Sequence, residues 1–396
     1  MLEPWAYWLP WGQDSVLSSY FCNGEAYPLL KSTDVFVIGG GPAGLAAAIA
    51  ARQRGFRVIV ADGAVPPIDK PCGEGLMPDG ISALRRLGIT VKPQDSCSLR
   101  GIQFRRAGRA VGARFPSSGS GLGLRRTILH RIMTERAAEL GVDLLWRTVV
   151  TSISSEAVNL ADRTVGAKWI IGADGGNSRV RRWARLDTYL REGLRYAFQR
   201  HYHIEPWTDS VEIHWGPHSQ IYVTPLADAQ VGVALISRDP KLRLDEALSA
   251  FPKLKSQLRG AVPFAEKGAL SATRKLKRVC RGNVALIGDA SGTVDAITGV
   301  GLGLCFNQAL VLAECLESGT LDRYPNEHRR LAFRPLLMAR LMLALDGRPK
   351  LQQRTLQALH RRPEIFRRLL AFHGGVPSGL RLTLDGLTLG WGLLTA

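Results

Sequence analysis

Residues 35–62 constrain the fold more tightly than any other part of the chain. Val35-Phe36-Val37-Ile38 is a short apolar run rich in β-branched side chains, the pattern of a strand buried within a parallel sheet. Gly39-x-Gly41-x-x-Gly44 follows without a gap, and residues 43–54 have helical composition that Gly55 ends. Arg52 and Arg54 stand near the C-terminal end of that helix, where cations suit the dipole. Residues 56–61 read as a second strand with Asp62 at its tip. Strand, glycine turn, helix, strand and acid together form the context that a dinucleotide fingerprint requires. Gly39 permits the tight turn, Gly41 lets a pyrophosphate approach the helix N-terminus, and Gly44 permits close helix–strand packing. Asp62 can accept hydrogen bonds from a ribose.

Two later segments repeat the theme. Residues 169–175 form an apolar strand that runs into Asp174-Gly175, and the pattern Asp-Gly-x-x-Ser-x-x-Arg spans Asp174 to Arg181. Residues 284–290 form another apolar strand ending in Gly288-Asp289-Ala290. Gly299, Gly301 and Gly303 then precede an apolar helix that reaches about Glu317. An aspartate at the second strand tip can hold ribityl hydroxyls, and the glycines let a helix N-terminus approach a flavin ring. Taken singly, Asp174 also reads as a turn aspartate and Asp289 as a helix N-cap.

The three segments together resemble the FAD-dependent aromatic hydroxylase and geranylgeranyl reductase superfamily, which has the fold of p-hydroxybenzoate hydroxylase. The resemblance covers about residues 34–317. It implies an α/β fold: a Rossmann-like FAD-binding domain with a doubly wound parallel sheet, an inserted and mostly antiparallel β-sheet substrate domain, and C-terminal helices. The implied boundaries are 34–99, 119–185 and 275–320 for the FAD domain, and 100–118 and 186–274 for the substrate sheet. Residues 1–33 are an extension and 321–396 a helical region. Pro67-Ile68-Asp69-Lys70-Pro71-Cys72-Gly73-Glu74-Gly75 looks like the Pro-x-x-Lys-x-Cys-Gly-x-Gly loop of the reductase branch, which implies that Cys72 and Gly73 lie near the flavin ring. A surface loop with a buried cysteine is the plainer alternative. Arg126 matches an arginine that contacts the flavin chain or pyrophosphate, and Arg125 beside it is a near-equal candidate. The cofactor-binding set is therefore Gly39, Gly41, Pro42, Ala43, Gly44, Asp62, Cys72, Gly73, Arg126, Asp174, Asp289, Gly299 and Gly301. NAD(P)H is the implied transient reductant, because the chain carries no second complete nucleotide-binding unit.

The chain departs from each branch. Where the reductases often have Thr-Gly-Glu-Gly, it has Thr298-Gly299-Val300-Gly301. The Tyr-x-Trp-x-Phe-Pro stretch is reduced to Ile221-Tyr222-Val223-Thr224-Pro225. Ser291 follows Gly288-Asp289-Ala290, where many aromatic hydroxylases have a histidine.

Composition adds bounds. The chain has 396 residues, 45% of them hydrophobic, enough for a large core. Its six cysteines include no Cys-x-x-Cys pair, which suits a reducing cytosol and no structural zinc. The net charge of +18 is spread widely, without a nucleic-acid-binding signature, and fits a solvated basic surface or attraction to anionic membranes. Residues 1–33 contain Trp5, Trp8 and Trp11 but do not read as a secretory signal.

From 186 to 274 four runs read as strands: 196–204, 211–215, 220–225 and 230–237, with a helix over 245–258. His201 and His203 share one face at period two, the pattern of ordinary sheet or pocket histidines rather than a metal site. Tyr202, Trp215 and Tyr222 are expected in the pocket wall or the core. Residues 361–370 are amphipathic and cationic, suited to packing on the body, capping a channel or lying on a membrane. The expected function is an FAD-dependent, NAD(P)H-dependent monooxygenase acting on a hydrophobic aromatic, polyketide or isoprenoid substrate. A geranylgeranyl reductase-like C=C reductase and a non-catalytic flavin-binding protein are the alternatives. The expected location is cytoplasmic or membrane-peripheral, and metal is not expected.

Overall fold

The computed structural model describes residues 32–116 and 119–376; the expectations for residues 1–31 and for the tail from 377 lie outside them. Ser32–Ile38 stands at the centre of a sheet, between Val58–Asp62 and Thr164–Gly172. Asp143–Trp146 pairs outside the first neighbour and Val284–Leu286 outside the second, and all four of these pairings are parallel. Numbered along the chain, the five strands lie in the order 3-2-1-4-5, the doubly wound arrangement whose ligand crevice opens beside the central strand.

Side-chain alternation along that strand divides the core. Val35 and Val37 pack under the helices Pro42–Arg52, Arg126–Glu139 and Gly301–Glu317. Phe36 and Ile38 face the opposite layer, where Val150, Val158, Leu160 and Val180 cover the sheet. Both faces are therefore dry, which is why the strand reads as a continuous apolar run.

The second sheet has the strand order Val262–Pro263, Tyr189–His203, Gln230–Ser237, Ser219–Leu226, Ser210–Trp215, Gly101–Arg106 and Arg109–Arg114. All its pairings are antiparallel except Ser210–Trp215 with Gly101–Arg106. Three features differ from the sequence expectation. The strand expected at 196 begins at Tyr189, because a further strand, Lys267–Leu276, pairs along it. That partner is rich in Lys, Ser, Thr and Arg, so it carries no apolar run to announce it. The helix expected over 245–258 is two short ones, Leu244–Leu248 and Pro252–Gln257, because Pro252 can start a helix but not continue one.

Three helices close the described chain: Tyr324–Leu345, Pro349–Arg361 and Pro363–His373. The amphipathic segment 361–370 turns its apolar face inward, where Ile365, Phe366 and Leu370 join Phe104 and Trp215 in one core. The Phe366 and Phe104 rings lie 5.5 Å apart. That face is spent on packing and leaves a solvated cationic edge.

A buried ionic cluster holds the second sheet to the C-terminal helices. Arg195, only 2% exposed, has its Nε 3.2 Å from Asp295 and donates to Asp346 at 3.0 Å. Asp346 also accepts from Gln220 Nε2 at 2.9 Å. Burial raises the Asp295 pKa, and the Arg195 charge opposes that rise. Such a cluster is weak evidence for net stability, but losing one partner strands a buried charge.

Candidate cofactor and active site

One continuous cavity of about 1250 Å³ runs from the edge of the parallel sheet to the C-terminal helices. That exceeds the ~300–1,000 Å³ of an ordinary small-ligand pocket, so a large cofactor leaves room beside it. Every expected cofactor residue except Gly44 lines it.

The fingerprint turn explains the exception. A Cβ on Gly44 would stand 1.8 Å from the Gly39 carbonyl oxygen, and one on Gly39, which has φ of 112°, would meet the Ala173 carbonyl at 2.4 Å. These two glycines permit strand, turn and helix to touch. A Cβ on Gly41 would meet nothing within 4 Å, because Gly41 borders open cavity at the first turn of Pro42–Arg52. Pro42 has no N–H and the Leu45 N–H already bonds the Gly41 carbonyl, so the Gly41 and Ala43 N–H groups at the cavity wall are the ones left for an anion, with no side chain on Gly41 to cover them. Pro42 and Ala43 line the same turn. Behind it, the buried His130 Nε2 lies 2.8 Å from the Gly40 carbonyl, and burial lowers the His130 pKa, so the neutral ring donates. His130 carries no motif signal; only the docking of its helix reveals the role.

The acids differ in what they still have to offer. Asp62 accepts from the Gly40 N–H at 2.7 Å and from the Ala64 N–H at 2.8 Å, and it borders the cavity. Asp174 Oδ2 accepts from the N–H groups of Arg179 and Val180 at 2.6 and 3.2 Å, while its Oδ1 is buried without a partner. Its turn role is thus real, and one oxygen stays available. Asp289 faces the cavity from the Gly288–Ser291 turn. The walls withdraw it from bulk water and raise its pKa, against the pull of Arg126, Lys70 and Arg274. Arg126 borders the cavity, and its Nε is buried without a hydrogen-bond partner. Arg125 turns away, with its guanidinium on Gln230 at 2.6 Å and near Glu74. The geometry therefore separates the two arginines. Gly299, left-handed at φ 66°, and Gly301 leave the start of Gly301–Glu317 bare toward the cavity. Open phosphate-sized N–H groups at Gly41, an unsatisfied Asp174 oxygen, an unsatisfied Arg126 nitrogen and this volume fit FAD.

Beyond the glycines the wall becomes apolar. Ile102, Phe104, Ile213, Trp215 and Ile236 come from the second sheet, and Met338, Met342, Leu345, Phe366 and Leu370 from the C-terminal helices. Trp215 and Tyr222 line the wall as expected, with the Tyr222 hydroxyl donating to the Ile297 carbonyl at 2.9 Å. Tyr202 does not: it packs with Val233 and Leu248 on the far face. His214 also points away, onto Glu212 at 2.9 Å. His373 lies at the cavity end and binds the Thr298 carbonyl through Nε2 at 3.0 Å.

Two predictions follow from this geometry. Gly44→Ala should destabilise the apoprotein by about 1–3 kcal/mol, the cost of overpacking, whereas Gly41→Asp should leave its melting temperature near wild type and abolish FAD retention. Thermal unfolding and FAD fluorescence titration measure the two effects; normal FAD binding by Gly41→Asp contradicts the phosphate assignment. The second concerns pH. Burial lowers both His373 and His328 to about 4. A lowered histidine stabilises fully above its ordinary value of about 6.5, and the contribution is lost as pH falls toward about 4. Thermal stability should therefore drop between pH 7 and 5, on the order of 1–2 kcal/mol for each histidine. The His328→Gln/His373→Gln protein should show a flatter profile; an unchanged slope refutes the assignment.

Comparison with known proteins gives the family. Residues 32–333 match the family described as FAD binding domain. A menaquinone reductase of Mycobacterium tuberculosis (strain H37Rv) is 31% identical over 323 residues, covering 74% of this chain and 78% of that protein. Digeranylgeranylglycerophospholipid reductase 2 of Methanosphaera stadtmanae is 25% identical, covering 74% of this chain and 80% of that protein. The crystal structure of a flavoprotein/dehydrogenase from Cytophaga hutchinsonii superposes with a TM-score of 0.77 at 19% identity, covering 91% of this chain and 99% of that one, and so shares the fold. With the three flavin segments converging on one cavity, the chain belongs to the FAD-binding domain family and is an FAD-dependent oxidoreductase.

Proposed function

We propose that the protein is an NAD(P)H-dependent reductase of a carbon–carbon double bond in a long isoprenoid lipid. The observation that carries this reading is the inner half of the cavity, an apolar chamber walled by Met338, Met342, Leu345, Leu359, Phe366 and Leu370. An extended hydrocarbon gains about 25 cal/mol for each Å² it removes from water there. The relatives named as reductases of menaquinone and of a digeranylgeranyl lipid support it. When bound, FAD supplies hydride chemistry. The chain's own residues would bind and orient it: the Gly41 turn and Arg126 would hold the anionic end, Asp289 would hold hydroxyls, and the apolar chamber would exclude water.

Monooxygenation of a hydrophobic aromatic, polyketide or isoprenoid substrate is the second reading. It is favoured by Val300 and by Ile221-Tyr222-Val223-Thr224-Pro225, where the reductase branch has a glutamate and a tryptophan. Anaerobic titration separates the two. NADPH should bleach the flavin bands, and a polyprenyl lipid that carries no quinone ring should restore them without oxygen and yield a product heavier by two hydrogens. Reoxidation only on admission of air, with oxygen incorporated into product, supports the second reading instead.

Substrates of this kind reside in bilayers, and the helix Tyr324–Leu345 supports a route to one. Leu341 lines the chamber yet is 47% exposed, and Phe333, two turns earlier on the same side, is 61% exposed. Exposed Arg330 and Arg340 lie on the same helix. No helix among the described residues is long and apolar enough to cross a membrane. Peripheral contact with an anionic surface through this helix is therefore part of the proposal. The protein should co-sediment with phosphatidylglycerol vesicles, and Phe333→Glu/Leu341→Glu should lose that binding while retaining FAD; undiminished binding by the variant removes this helix from the contact.

A further inference from the structure

The loop carrying Cys72 is held by a set of polar side chains that neither the cofactor motifs nor the apolar chamber requires. Gln199, on the strand Tyr189–His203, grips Cys72 at both backbone groups. The Cys72 N–H donates to Gln199 Oε1 at 3.0 Å, and Gln199 Nε2 donates back to the Cys72 carbonyl. His201, two residues along the same face, approaches Gln199 Nε2 at 3.4 Å and Glu74 Oε2 at 2.6 Å through its Nε2. Glu74 is 3% exposed and has a φ of 56°, a backbone state unusual for a residue with a side chain. Its other oxygen accepts from the Arg126 N–H at 2.9 Å and lies 3.5 Å from Arg125 Nε. Glu74 thus joins the loop, the cofactor helix and the substrate sheet at one point.

We propose that Gln199, His201 and Glu74 form a positioning relay that fixes the Cys72 thiol at the junction between the cofactor and substrate halves of the cavity. A buried carboxylate in a left-handed backbone is costly to maintain without a specific partner. A two-point amide grip on one peptide fixes orientation as well as distance. A buried glutamate–histidine pair also occurs in Glu212 and His214, but that pair touches neither the loop nor the cavity. It supplies an internal control for the loss of a buried histidine–glutamate pair. None of the three relay residues is assigned contact with the reacting atoms.

Site-resolved alkylation of Cys72 by iodoacetamide, read by peptide mass spectrometry in FAD-loaded and FAD-stripped protein, tests the relay without depending on turnover. Gln199→Leu removes the grip and should raise the Cys72 labelling rate roughly tenfold in both forms, the effect of losing one to two net hydrogen bonds. His201→Phe should raise it in the same direction, His201→Gln should restore slow labelling by again bonding Glu74, and His214→Phe should label as wild type. If Gln199→Leu does not fold, the His201→Phe and His201→Gln pair carries the comparison. Equal Cys72 rates in wild type, Gln199→Leu and His201→Phe overturn the relay, as does an equal rise in His214→Phe.

Discussion

The close contact of Gly44 with the Gly39 carbonyl sets the geometry on which the rest of this structure depends. It brings the helix Pro42–Arg52 onto the central strand so that its first turn opens at the C-terminal edge of a parallel sheet. Unpaired N–H groups at that turn are expensive to bury and favourable to present to an anion. The strand order places the Asp174 turn next to it across the switch point, and Gly288, whose added Cβ would strike Ala43, completes the ring. Backbone packing therefore supplies a turn suited to a diphosphate, with Arg126 on the same cavity and the three acids suited to hydroxyls rather than to the anion.

The second half of the cavity follows a different physical rule. It is built from the inner face of an antiparallel sheet and from helices that would otherwise expose apolar stripes. Phe104, Trp215 and Phe366 form one aromatic contact at its far wall. Arg195, Asp295 and Asp346 lock sheet, cofactor-side turn and helix end together without filling the chamber. The result is a site polar where charge must be held and apolar where a hydrocarbon must be desolvated. This division supports a lipid-like substrate beside the residues that would hold FAD.

Much of the cofactor half was legible along the chain, because each motif is contiguous and its backbone demands specific residue types. The apolar strands, the fingerprint and the Asp174 and Asp289 turns all reside in short segments whose meaning is local. The substrate half was less legible. Lys267–Leu276 is a strand through pairing rather than through composition, and Tyr202 shares a strand with Gln199 and His201 but points to the opposite face. Period-two alternation states that neighbours diverge; it does not state which face meets the flavin.

The sequence by itself determined the doubly wound domain, the cofactor class and the glycine turn suited to phosphates, since glycines without room for Cβ and acids at strand tips encode their own environment. Only the tertiary structure decided that Arg126 rather than Arg125 faces the cavity, that residues 361–370 cap the chamber with their apolar face, and that Glu74, His201 and Gln199 converge on Cys72. The hydrogen-bonded pairs Cys72–Gln199 and Glu74–His201 each lie 127 positions apart, and their partnership arises from tertiary packing, a long-range event that no local pattern records.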